Sequence, residues 1–265
     1  MTFSLTILGS SSGVPTAGRN TTAHVLNVRE RFFLIDCGEG TQIQFRRFRI
    51  RFGKVNHIFI THLHSDHYIG LFGLLSTMSL IGRKTPLHLF GPALLERILE
   101  NHFSLVADRP GFPILYHPLD PAGPALIHDD ERVEVTSFPT RHRIQAWGYL
   151  FREKKRRGNG SDHPPRSFAH CADGVFNPAM AEVVRGVDLL YHEATYLHDK
   201  LDRALSTGHS TALQAGELAR LAGVRQLLIG HFSARYKDAT PLLEQARTVF
   251  ENTLAAFDGL TIEID

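Results

Sequence analysis

Cysteine is scarce in this chain of 265 residues: Cys37 and Cys171 are the only two, far apart and outside any CxxC pair. They read as two reduced, mostly buried thiols, which suits the cytoplasm and argues against a disulfide scaffold. Long hydrophobic runs are missing too, since no stretch approaches the ~18 apolar residues of a membrane span. The opening residues MTFSLTILGS carry neither a basic leader nor a long apolar core, so a soluble, unexported, cytoplasmic protein is expected. A strong charge of either sign is also lacking. The formal net charge is +2, too small to select or exclude a polyanionic partner. No short repeat or low-complexity tract appears. The hydrophobic content of 43% suffices for one large core, so residues 1–265 are expected to form a single domain.

What is present is concentrated. FRRFRIRFGK (45–54) gathers Arg46, Arg47, Arg49, Arg51 and Lys54, and EKKRRG (153–158) forms a second basic block. A charge run is commonly a solvated face, and each block alone reads that way. Histidine, at 16 residues, is in surplus, and as the commonest metal-binding side chain it directs the search to ligand spacing.

Short β-rich runs alternate with helical patterns in both halves, which predicts an α/β fold with sheets packed between helical layers. LTILG, HVLNV, FFLID, HIFITH and LHLFG read as strands, as do RVEVTSF, WGYLFRE, SFAHC, DLLYHE, RQLLIGH and LTIEI further on. Helices are predicted at TQIQFRRFRI, YIGLFGLLSTMSLIG, PALLERILENHF, NPAMAEVVRG, STALQAGELARLAG and TPLLEQARTVFENTLAAF. The last three are expected to open on Asn, Ser or Thr caps.

Between a buried strand and a helix stands HLHSDH, placing His62, His64, Asp66 and His67 in a strand-end loop, where α/β architectures put their chemistry. In an extended loop residues 62 and 64 point the same way and can share one ion, leaving Asp66 and His67 for a neighbouring ion. Four donors do not close two sites. The further candidates are polar residues that follow apolar strand-like runs: His142, Asp173 and His231. The expected sets are His62, His64, His142 and Asp173 on one ion, and Asp66, His67, Asp173 and His231 on the other. Asp173 bridges, because an anionic oxygen offsets the repulsion of two cations. Imidazole and carboxylate without thiolate favour zinc, with manganese or iron open to the same donors.

HLHSDH, GHSTALQAG, HEATY (192–196) and HFSARY (231–236), with LTILGSSSGVPT and IDCGEGTQIQ before them, together resemble the ribonuclease Z (tRNA 3′-processing endonuclease) branch of the metallo-β-lactamase superfamily. HxHxDH alone marks only the superfamily; the other motifs are specific to the branch. The resemblance covers nearly the whole chain. It implies a four-layer αββα sandwich with a dinuclear metal site at the strand ends and two Zn2+ per subunit, with Mn2+ as an alternative. It further implies a homodimer and hydrolysis of precursor tRNA that leaves a 3′-hydroxyl on the tRNA. By the same resemblance Asp66 also accepts the proton of the attacking water, His209 lies by the scissile phosphate, and Glu193 orients His209. His192 is expected behind the site.

The sequence departs from the family pattern twice. Asp173 is followed by Gly174 where family members commonly have Thr, which loses a hydroxyl and keeps the bridging carboxylate. Between His142 and Asp173 the family typically inserts a long arm that grips tRNA. Here GNGSDHPPR suggests only a short hairpin at about 152–166. Grip would then fall to the two basic blocks. The alternative is an arm-less metallo-hydrolase of small phosphodiesters or other esters, and behind it a non-catalytic binding protein on the same fold.

Overall fold

The computed structural model describes residues 2–155 and 164–265. In chain order the first strands are β1 (Phe3–Gly9), β2 (Ser11–Ser12), β3 (Ala23–Val28), β4 (Arg31–Ile35), β5 (Val55–Phe59), β6 (Leu87–Gly91) and β7 (Ile114–Pro118). There follow β8 (Ala125–Asp129), β9 (Val133–Thr140), β10 (Ala146–Glu153), β11 (Ser167–Cys171), β12 (Leu189–Glu193), β13 (Gln226–Gly230), β14 (Phe232–Ser233), β15 (Thr253–Ala255) and β16 (Thr261–Glu263). The helices are α1 (Thr41–Arg47), α2 (Ser65–Tyr68), α3 (Leu71–Leu80), α4 (Leu94–Val106), α5 (Met180–Val183), α6 (Leu201–Thr207), α7 (Ala212–Ala222) and α8 (Thr240–Arg247).

Two seven-stranded sheets face each other, ordered β16-β1-β3-β4-β5-β6-β7 and β15-β13-β12-β11-β10-β9-β8, while β2 and β14 form a small parallel pair. Strand alternation sorts the side chains into layers. Phe33, Ile35 and Phe59 join Val135, Phe151 and Phe168 in the core between the sheets. Their neighbours Leu34, Ile58 and Ile60 point the other way and pack with Phe45, Leu74, Leu75, Leu95 and Leu99 of α1, α3 and α4. On the far side, Ala215, Leu218 and Ala219 of α7 and Leu242 of α8 cover the second sheet. The result is the four-layer αββα sandwich the sequence motifs implied. Strands buried on both faces explain why HIFI and LLIG read as continuous apolar runs. Among the described residues no helix is long and apolar enough to cross a membrane, and both cysteines are buried and free.

The element predictions needed four corrections. TPLLEQARTVFENTLAAF is not one helix: α8 ends at Arg247, and Thr253–Ala255 pairs in parallel with β13. The Arg247 guanidinium fixes the reversal by donating twice to the Thr253 carbonyl, at 3.0 and 2.8 Å. YIGLFGLLSTMSLIG divides into α2 and α3 around Gly70, whose missing side chain lets the backbone pass against Gly38 O. NPAMAEVVRG yields only the short α5. The cap of α7 is Thr211, in a capping box with Gln214, and neither α5 nor α8 has a side-chain cap. The strands β7 and β8 and the helix α6 were not anticipated. Arg152 of β10 pairs with Ser167 of β11; the tip of the hairpin expected at about 152–166 falls at 156–163, outside the described residues.

Candidate metal centre

The strands β4, β5 and β6 run parallel, as do β11, β12 and β13, so their C-terminal ends open on one edge of the sandwich. Asp36 follows β4, Thr61 and His62 follow β5, Asp173 follows β11, Glu193 ends β12 and His231 follows β13. The strand β9 delivers His142 to the same edge through its antiparallel pairing with β10. His64, with extended backbone, caps α2, which then presents Asp66 and His67. Asp36 and His231 leave their strands in left-handed backbone, each at φ 58°. For a residue with a Cβ this costs about 1 kcal/mol or more and is characteristic of functional sites.

Two groups of donors converge: His62, His64, His142 and Asp173, and beside them Asp66, His67 and His231. Asp173 lies between them. Its Oδ2 is 3.7 Å from His62 Nε2 and 3.4 Å from His67 Nε2, and its Oδ1 is 3.4 Å from His231 Nε2. Asp66 Oδ2 is 3.4 Å from both His67 Nε2 and His231 Nε2 and accepts the Gly13 amide at 2.7 Å. His64 Nδ1 stands 3.0 Å from His62 Nε2 and 3.1 Å from His142 Nε2.

The outer hydrogen bonds decide which ring nitrogens face inward. Asp36 Oδ2 accepts from His67 Nδ1 at 2.7 Å and from the Thr61 hydroxyl at 2.9 Å. That hydroxyl has spent its proton on Asp36, so it accepts from His62 Nδ1 at 3.0 Å. Thr195 repeats the device: it donates to Glu193 Oε2 at 2.6 Å and accepts from His231 Nδ1 at 2.9 Å. His142 Nδ1 donates to Gly208 O at 2.6 Å. In each ring Nε2 is thereby aimed into the cluster, where the neutral imidazole offers its lone pair. His67 Nε2 is buried with no hydrogen-bond partner among the described residues. Converging lone pairs and carboxylates repel one another unless a cation lies among them, and nitrogen and oxygen donors without thiolate fit a divalent metal ion.

The electrostatics match. Burial resists a charged His67, but with no cation among them Asp173, Asp66 and Asp36 outweigh it and hold its pKa well above the usual value, so a proton on Nε2 takes the place that a metal ion would fill. Burial likewise opposes ionisation of Asp173, and His231, His67 and His209 overcome this and hold the carboxyl well below its ordinary range. His64 is pushed down to about 4 by burial and by the neighbouring His142. His209 Nδ1 stands 3.0 Å from Glu193 Oε1. Burial alone would lower its pKa, yet Glu193 and Asp173 lift it to about 9, which favours the imidazolium form.

All seven expected metal-binding residues and the His209–Glu193 pair therefore meet at one edge. His192 does not. Strand alternation turns it away from Glu193, its Nδ1 donates to the Glu193 carbonyl at 2.6 Å, and it lies beside Cys171 and Leu218 on the helix side. Asp36, Thr61, Thr195 and the Gly208 carbonyl went unnoticed in the sequence. Only Asp36 had a signal there, as the acidic end of FFLID. Lys154, expected to be free for phosphate, is held by Asp129 and Glu134.

Paired sheets between helical layers, with a histidine and aspartate cluster at the strand ends, define a hydrolase domain of the β-lactamase superfamily. Residues 31–232 match the family model described as the beta-lactamase superfamily domain. Ribonuclease Z from Bacteroides fragilis and ribonuclease Z from Porphyromonas gingivalis are each 40% identical to it over 301 residues, covering 99% of this chain and 99% of the relative. The crystal structure of human tRNase Z, short form, superposes with a TM-score of 0.85 at 31% identity, covering 99% of both chains. The chain belongs to the ribonuclease Z family.

Proposed function

We propose that this protein is a zinc-dependent endoribonuclease that removes 3′ trailers from precursor tRNA and leaves a 3′-hydroxyl on the tRNA. Residues 1–265 act as one domain, in a cytoplasmic homodimer. The observation that carries the chemistry is the set of Nε2 lone pairs held inward by Asp36, Thr61 and Thr195 around the buried Asp173. The substrate is supported by kinship with proteins named ribonuclease Z and tRNase Z.

His62, His64, His142 and Asp173 would hold one zinc ion, and Asp66, His67, Asp173 and His231 a second, with Mn2+ able to use the same donors. When bound, the two ions supply Lewis acidity toward the phosphodiester and lower the pKa of a water. Asp66 is ionised and tied to the Gly13 amide, ready to accept the proton of the attacking water. His209, charged and steadied by Glu193, donates to the phosphate as negative charge grows and protonates the departing 3′-oxygen of the tRNA.

A second reading, hydrolysis of small phosphodiesters, has one observation in its favour: the short connection from β10 to β11 leaves no long arm for tRNA. An end-labelled precursor tRNA assayed beside a chromogenic phosphodiester, with Asp66→Ala as control, separates the two. A cut at the base of the trailer that Asp66→Ala abolishes supports the endoribonuclease. Turnover of the small ester alone supports the second reading.

A further inference from the structure

The positive charge of this chain is unevenly committed. In the block at 153–158, of which residues 153–155 are described, Glu153 is buried between Arg29 and Arg166, the Lys154 ammonium is shared by Asp129 and Glu134, and Lys155 is exposed. Arg46, Arg47, Arg49 and Arg51 differ. All four are exposed within six residues, and none forms a salt bridge among the described residues. The sequence presents them as FRRFRIR, and the fold fixes how they stand. The Arg46 guanidinium lies over the Phe52 ring and that of Arg47 over the Phe48 ring, each at 5.5 Å. Chain reversal at the end of α1 puts Arg49 in left-handed backbone, φ 59°. Nearby Lys54 is paired with Glu30, so the four arginines are the uncompensated part of the block.

We propose that this arginine face is a docking site for the phosphate backbone of RNA, separate from the metal centre. The proposal rests on the reading of the chain as a nuclease of precursor tRNA and names the surface that grips the substrate where the arm is short. Four like charges without carboxylates repel one another, and the cost is relieved when phosphates supply the counter-charge. Two guanidinium groups held against aromatic rings lose little further freedom on meeting a phosphate, and the planar fork suits its oxygens. The arginines lie on the last turn of α1 and on the chain that leads into the start of β5, whereas Thr61 and His62 follow the opposite end of that strand. Five residues of strand span on the order of 17 Å, so the face meets phosphates other than the scissile one.

The test measures binding of fluorescein-labelled precursor tRNA by anisotropy across a salt titration, beside turnover of a chromogenic phosphodiester. Replacing Arg46, Arg47, Arg49 and Arg51 by Gln should weaken binding and reduce the slope of log K against log salt by about 3, with small-ester turnover unchanged. The milder R49Q/R51Q, which keeps both arginine–aromatic contacts, should lose about half as much slope. A charge-matched control replaces Arg97, Arg109, Arg185 and Arg220 and should leave the slope nearly intact. An unchanged slope in the R46Q/R47Q/R49Q/R51Q protein, or an equal loss in the control, overturns the proposal; accurate trailer removal by the unaltered protein in that case leaves the functional reading standing. An unaltered protein that neither binds nor cuts precursor tRNA overturns both.

Discussion

Asp36 Oδ2 lies 2.7 Å from His67 Nδ1, and through this contact a residue at the end of β4 sets which nitrogen His67 offers from α2. The same carboxylate accepts the Thr61 amide at 2.8 Å. Burial pushes the Asp36 pKa up, against the lowering effect of His67 and Thr61. Asp36→Asn keeps the shape but replaces an anionic acceptor with a neutral amide. Metal affinity is expected to fall by roughly 10- to 100-fold, the usual cost of losing such an outer partner. Metal content after dialysis against graded chelator checks this, and full retention of metal would refute the assigned role.

Glu193→Gln tests the second pair. The carboxylate lifts the His209 pKa toward 9 and accepts the amides of Gly174 and Ser210 at 3.1 and 3.0 Å. With the charge removed, His209 should lose its proton at lower pH. The alkaline limb of kcat should move to lower pH while metal content is kept. An alkaline limb identical to that of the unaltered protein would separate Glu193 from the protonation of His209.

Gly70→Ala links packing to the site. A Cβ at Gly70 would overlap the Gly38 carbonyl, which is backbone and cannot swing aside. The substitution should cost about 1–3 kcal/mol in stability. It should also lower activity, because α2, carrying Asp66 and His67, ends just before this glycine. Denaturant unfolding and phosphodiester turnover measured together would show whether both effects occur.

Acid should loosen the edge where β7 and β8 lie. His57 stacks on His88 at 4.9 Å, His88 stacks on His117 at 5.2 Å, and His128 meets His57 edge-on at 4.6 Å. Burial, then His128 and His88, push the His57 pKa down to about 3, and burial lowers those of His88 and His117. A folded-state pKa below the unfolded value means that the unfolded chain binds more protons. The stability contributed by neutral His57 is therefore fully present above about pH 6.5 and is lost as pH falls toward 3. His57→Phe should flatten this dependence by at least ~1 kcal/mol between pH 6.5 and 4.5. Equal slopes in urea midpoint against pH for the two proteins would count against it.

Much of the candidate site was legible because its donors are local or stand at recognisable strand ends. HLHSDH compresses four donors into six positions, and His142, Asp173 and His231 follow apolar runs that became strands. The sequence was less informative where tertiary pairing overrode local pattern. Thr253–Ala255 follows a helical run and becomes a strand only because the exposed edge of β13 accepts it. The residues of β7 and β8 are only partly buried, so their alternation is blurred.

The sequence by itself determined the donor types, the strand and helix alternation, and the kinship carried by HEATY, GHST and HFSARY, because each of these is written in neighbouring residues. Only the tertiary structure decided which nitrogen each histidine turns inward. Those choices depend on Asp36, Thr61, Thr195 and Gly208, which come from different strands and loops and meet only after the two sheets close. It also decided which basic side chains are neutralised. Lys154 finds Asp129 of β8 and Glu134 of β9, while no neighbour among the described residues supplies a carboxylate to Arg46, Arg47, Arg49 and Arg51. Whether a charge is neutralised is a property of distances through space, and the order of residues along the chain does not contain them.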